Sequence, residues 1–132
     1  MRKTLTAILM LAASPALAEN YGVFRNPSGN VEVKLADCGK QLCGTIVKAS
    51  AKAKADAAKA GQANIIGMQL FRNLMPAPQS KGKPRRWDGR VYIPDKDRTV
   101  SGSAILNGKI LSVKGCLLGD KLCKSQDWMR VK

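Results

Sequence analysis

The 132-residue sequence contains no histidine. That absence excludes Ser-His-Asp and Cys-His catalysis, histidine-ligated metals and an imidazole proton switch near neutral pH. Acidic residues are few, 9 Asp and Glu against 23 Lys and Arg, for a formal charge of +14. Such an imbalance attracts polyanions at long range whatever the fold. Aromatics number two each of Phe, Tyr and Trp, too few for a ladder of stacking platforms along single-stranded nucleic acid. No specific nucleic-acid partner is expected. Nowhere does an apolar run reach the ~20 residues that a membrane-spanning helix needs.

What the N-terminus does contain is Met1-Arg2-Lys3, an apolar run from Leu5 to Ala13, and small residues at Ala16 and Ala18. This order predicts a secretory signal over residues 1–18, cleaved after Ala18, ahead of a single domain over 19–132. Removing Arg2 and Lys3 takes only two charges from the total, so the basic character belongs to the domain. The expected location is periplasmic or secreted. In an oxidising compartment four cysteines read as disulfides, with three possible pairings. Cys38 and Cys43 bracket Gly39-Lys40-Gln41-Leu42, and Cys116 and Cys123 bracket Leu117 to Leu122, each where a hairpin turn would lie. The local pairing, 38 with 43 and 116 with 123, is therefore expected. Four thiolates on zinc would need reduced cysteines and tighter spacing, so no metal or cofactor is expected.

From Tyr21 onward the chain breaks into short runs of strand chemistry. Val31, Val33 and Leu35 alternate with Glu32, Lys34 and Ala36, the period of a strand with one buried face. Strands are expected at about 21–25, 30–37, 42–48, 65–72, 89–93, 98–106, 109–116 and 123–131, a meander that closes into a small barrel or stacks as a sandwich. Asn107-Gly108 is a two-residue hairpin signal, since both residues tolerate positive φ. Two stretches depart from strand chemistry. Ser50 to Ala60 is rich in Ala and Lys, with Ser50 as N-cap, Gly61 as terminator and Lys52 with Asp56 at i,i+4, and predicts a short, solvated connection, helical or irregular, near 50–60. Asn73 to Arg90 combines three prolines with Lys81, Lys83, Arg85, Arg86 and Arg90, and predicts an exposed extended loop.

At Leu42-Cys43-Gly44, Trp87-Asp88-Gly89-Arg90-Val91-Tyr92-Ile93-Pro94, Gly115-Cys116 and Cys123-Lys124-Ser125-Gln126-Asp127-Trp128-Met129-Arg130-Val131, the chain resembles the exported bacterial family catalogued as domain of unknown function 2147. The resemblance covers nearly all of 19–132. It implies an all-β fold, a single small antiparallel barrel of about eight strands, lipocalin-like, in the periplasm or outside the cell, and no established activity. Gly22-Val23-Phe24 stands where barrels of this type often carry Gly-x-Trp, and the Lys/Ala stretch replaces a segment that commonly holds an Asp and an Asn-Pro. Arg130 resembles the arginine that packs across the N-terminal aromatic in such barrels, closing one end by a cation-π contact that Phe24 makes weaker than Trp would.

The candidate ligand-binding residues are Trp87, Tyr92, Trp128, Arg130, Met68 and Leu70, with the three aromatics read either as lining a barrel mouth or as core and end plug. Lys81, Lys83, Arg85, Arg86 and Arg90 form a candidate anion patch, which Lys48, Lys52, Lys54 and Lys59 could join. Asp88, Asp95 and Asp97 are the nearest approach to a carboxylate cluster, but Pro94-Asp95-Lys96-Asp97 reads as a turn. Ser101, Ser103 and Ser125 have no histidine partner. The expectation is a binding module without catalysis for a small hydrophobic or amphipathic ligand, including an anionic one. The alternative is an envelope protein whose basic loops dock on an anionic surface.

Overall fold

A computed structural model describes residues 19–118 and 121–132; the expected signal segment lies outside the described residues. Alternating apolar positions become strands that each bury one face: β1 (Asn20–Arg25), β2 (Val31–Cys38), β3 (Gln41–Ala49), β4 (Phe71–Pro76), β5 (Arg85–Ile93), β6 (Arg98–Asn107), β7 (Ile110–Leu118) and β8 (Lys121–Arg130). Each pairs antiparallel with its sequence neighbour, and β8 returns to β1 through Phe24 with Arg130 and Arg25 with Met129, closing an eight-stranded barrel. Closure leaves no free sheet edge. A helix, α1 (Ala51–Lys59), spans the β3–β4 connection, with the Ser50 hydroxyl accepting from the Ala53 amide and Lys52 meeting Asp56 at 2.8 Å. That pair holds the Asp56 carboxyl below and the Lys52 ammonium above their ordinary pKa values, chiefly through its hydrogen bond. Among the described residues no helix is long and apolar enough to cross a membrane.

Up-and-down topology sorts the connections to two ends. One end gathers residues 26–30, α1 with the segment after it, the turn at Pro94–Lys96, the end of β7 and the start of β8. The other gathers the start of β1, the end of β8, and the connections at 39–40, 77–84 and 108–109. Between them Phe24, Val33, Leu35, Leu42, Leu74, Ala104 and Leu111 are fully enclosed. Large interior side chains fit only because glycines face them. A Cβ on Gly44 would stand 2.5 Å from the Phe71 ring and 3.0 Å from Val33, and one on Gly102 would collide with Val91. Small residues alternating with large ones are how a narrow barrel fills its taper.

Three sequence expectations change. The fourth strand begins at Phe71 and not near Ile65, because Gly67, at φ 87°, turns the chain. Residues 67–70 nevertheless run along β3: the Ile46 amide donates to Met68 O at 2.9 Å and the Leu70 amide to Gly44 O at 2.8 Å. The stretch 73–90 is not one loop, since β4 reaches Pro76 and β5 starts at Arg85, where an arginine occupies an interior position and masks the strand alternation. The β6–β7 loop is Gly108-Lys109, one residue later than expected, with Gly108 at φ 61°.

The cysteines pair 38 with 43 and 116 with 123, across the β2–β3 and β7–β8 hairpins, at Cα separations of 5.8 and 4.0 Å. Loops this short stabilise mainly by restricting the unfolded chain, by about 2 to 2.5 kcal/mol each in the chain-entropy picture. Replacing Cys116 and Cys123 together by Ser should therefore lower the unfolding free energy by about that amount in a urea titration. Gly44→Ala should cost about 1 to 3 kcal/mol by overpacking against Phe71, and an unchanged midpoint would refute the contact.

Candidate functional site

The end of the barrel away from α1 is plugged. Trp87, on β5, is buried with its ring edge-on to Tyr21 at 5.6 Å. The Arg85 guanidinium lies 5.0 Å over the Trp87 ring and 5.4 Å over Tyr21, and donates to the Tyr21 Oη at 2.7 Å and to Glu19 at 2.9 Å. Tyr21 in turn donates to Asp37 at 3.1 Å. Arg130 lies 5.3 Å over Phe24, and its Nε donates to Tyr21 O at 3.0 Å. Aromatic area and stacked guanidinium groups thus stopper this end without leaving a buried polar atom unpaired.

The α1 end is hollow. A cavity of about 460 Å³ opens there, within the range of sites that hold small organic ligands. Its walls and floor include Ile46, Phe71, Val91, Val100, Val113 and Trp128, and its mouth is framed by the 26–30 turn, Ala53 and Asp56 of α1, and the turn at Pro94–Lys96. The Trp128 indole donates to Gln126 at 3.3 Å, so the aromatic presents a satisfied, largely apolar surface. Lys96, Arg98 and Lys124 also line the cavity, and none has a carboxylate within ion-pair distance among the described residues. Asp95 and Asp56 share the lining, and Asp56 is held by Lys52. The result is an apolar cup with a predominantly cationic wall on the β6 and β8 side.

The residues singled out from sequence divide between these regions. Trp128 and Leu70 line the cavity. Trp87 and Arg130 belong to the opposite, plugged end, so the three aromatics do not share one mouth. Tyr92 stands at the rim on the outer face of β5, because Val91 takes the inward position; Arg72 lies 4.4 Å over its ring and its hydroxyl donates to Asp97 at 2.7 Å. Met68 packs against the core without joining the cavity lining. The basic candidates do not gather around the cup either. Lys81 and Lys83 sit in the 77–84 connection at the plugged end, Arg85 is stacked into the plug, Arg86 meets Asp88 at 2.9 Å, and Arg90 is exposed on the outer face of β5. The lysines of α1 lie at the other end, so the two basic segments do not converge. Asp88 is likewise separated from Asp95 and Asp97, being on the barrel wall while the other two lie in the rim turn. Sequence reading passed over Arg98, Lys124 and Lys96, whose only signal was a cation at an inward strand position or, for Lys96, in a rim turn.

A family model described as an uncharacterized protein conserved in bacteria, DUF2147, matches residues 22–130. No curated protein matches the chain, and no solved structure does.

Both tyrosine hydroxyls are held protonated beyond their ordinary pKa of 10.0, Tyr21 chiefly by burial and then by the Asp37 carboxylate, Tyr92 chiefly by its hydrogen bond to Asp97. A raised phenol contributes stability in full below its unfolded pKa and loses it as pH rises towards the folded value. Ultraviolet titration of the folded protein should show neither tyrosine ionising in the usual range, and the thermal midpoint should fall once pH exceeds about 10. Tyr21→Phe should remove the larger part of that alkaline fall.

Proposed function

The chain belongs to the bacterial family DUF2147, and from the barrel that it forms we propose a non-catalytic binding module for an amphipathic ligand with an anionic head, working in the periplasm or outside the cell. The observation that carries this reading is the cup of about 460 Å³ whose apolar floor meets Arg98 and Lys124, cations without carboxylate partners among the described residues. An alkyl tail against Val100, Val113 and Trp128 would gain about 0.8 kcal/mol per buried methylene. A carboxylate or phosphate at the wall would meet two exposed cations, with which it can form charge-assisted hydrogen bonds.

Two disulfides are compatible with an oxidising compartment. Binding without catalysis is favoured by the scattering of the acidic side chains: Asp88 is engaged by Arg86, and Asp97 by Tyr92 and Gln62. Docking through the basic loops has less support, because Arg85 and Arg86 are engaged within the fold.

Decanoate and decanol, titrated separately against tryptophan fluorescence, test the reading. Trp128 reports from inside the cup while Trp87 stays a constant background in the plug. Both ligands should bind saturably, decanoate more tightly. Arg98→Gln with Lys124→Gln should weaken decanoate about tenfold, ~1.4 kcal/mol, and leave decanol unchanged. Val113→Phe should weaken both by filling the cavity. A wild-type protein that binds neither would overturn the proposal.

A further inference from the structure

Beside its turn the β7–β8 hairpin carries leucines left exposed among the described residues. Leu118 is 63% exposed, Leu122 66% and Leu117 46%. Single exposed leucines are ordinary, but three beside one hairpin turn, Leu118 on the outer face and Leu117 with Leu122 at the cavity mouth, make this end of the barrel apolar. Leu122 holds this position at φ 54°, a left-handed conformation that is uncommon and costly for a bulky residue. No packing in the barrel compensates, since the side chain is exposed.

The same hairpin carries Lys114, Lys121 and Lys124, against Asp120 as the one acid from Gly115 to Ser125. Leu117, Leu122 and Lys124 also line the cavity, so the apolar tip is continuous with the mouth of the cup. Exposed leucines beside a hairpin turn, with lysines among them and farther along the strands, match a bilayer interface, where apolar side chains enter the acyl boundary and cations stay among anionic headgroups. A folded protein partner would instead need a broad complementary face, which a hairpin end does not offer.

We propose that the β7–β8 hairpin docks the barrel on an anionic lipid surface, with Leu118 and Leu122 inserted and Lys121 among the headgroups. In that pose the cup opens at the bilayer, and an amphipathic lipid reaches it without crossing water. Docking rests on the hairpin's own side chains and stands whether or not the cup holds a ligand.

Vesicle sedimentation tests it, comparing phosphatidylglycerol-containing vesicles with pure phosphatidylcholine. The wild-type chain should bind the anionic vesicles and not the zwitterionic ones, and salt should weaken the binding. Leu118→Ser combined with Lys121→Glu, neither residue lining the cavity, should cut vesicle binding at least tenfold and leave the decanoate titration unchanged. Leu118→Trp should shift its emission to the blue on adding anionic vesicles. Vesicle binding by a wild-type chain that ignores decanoate would uphold docking while removing the cavity reading. Docking is overturned if wild type ignores anionic vesicles, if the double variant binds them as tightly, or if the Leu118→Trp emission does not move.

Discussion

The interior width of an eight-stranded barrel governs the rest of this molecule. Eight strands enclose space that side chains can just fill, or that can be left to hold one small ligand, and the outcome depends on where bulk is placed. With six aromatics in the whole sequence, bulk is limited. Tyr21, Phe24 and Trp87 are committed to one end, together with Arg85 and Arg130 lying over their rings. Phe71 sits where Gly44 gives it room, and Tyr92 is turned to the outer face of β5. At the α1 end Phe71 lies in the wall, Tyr92 at the rim and Trp128 at the floor, with aliphatic side chains between them, and these leave it hollow. What separates the two ends is therefore the placement of the aromatics and of Arg85 and Arg130 over the plug's rings, not their number.

Charge is partitioned by the same asymmetry. At the plugged end cations become structural: Arg85 joins Glu19, Tyr21 and Trp87, and Arg130 spans Phe24 and the Tyr21 carbonyl. On the outer wall some are matched locally, as Arg25 and Lys48 flank the buried Glu32 carboxylate. At the hollow end Lys96, Arg98 and Lys124 face the cavity without carboxylate partners among the described residues. A total charge of +14 thus says less about binding than three of its contributors do.

Much of this was legible in the sequence, for reasons tied to particular residues. The Val31-Val33-Leu35 alternation, the cysteine pairs at two turns and the Asn107-Gly108 signal are local, so they identify strands, staples and a hairpin without knowledge of the whole. Closure into a barrel came from resemblance, since alternation alone fits a sandwich as well. What stayed hidden depends on pairing across the sheet. Arg85 reads as loop chemistry until Trp87 and Tyr21 are seen to stack on it, and Tyr92 reads as inward until the pairing of Val91 with Phe71 fixes the face. Two basic segments flanking one strand look adjacent along the chain, yet consecutive connections of an up-and-down barrel lie at opposite ends. The cup itself was beyond reach, because a cavity is a deficit of volume and no single residue announces it.

The placement of the second disulfide bears on how the hairpin can keep its exposed tip. Cys116 faces Cys123 directly, and beyond them the strands continue only through Leu117-Leu118 and Lys121-Leu122. A bridge at that position restricts the unfolded chain and holds the two strands in register without help from the side chains beyond it. Leu117, Leu118 and Leu122 are thereby released from having to pack, and a left-handed leucine becomes tolerable because its cost is offset nearby. The first bridge does similar work at the plugged end, across β2 and β3, where the Tyr21–Asp37 hydrogen bond lies beside it. The covalent links thus fall at opposite ends of the barrel, and one of them stands directly behind the exposed Leu117, Leu118 and Leu122.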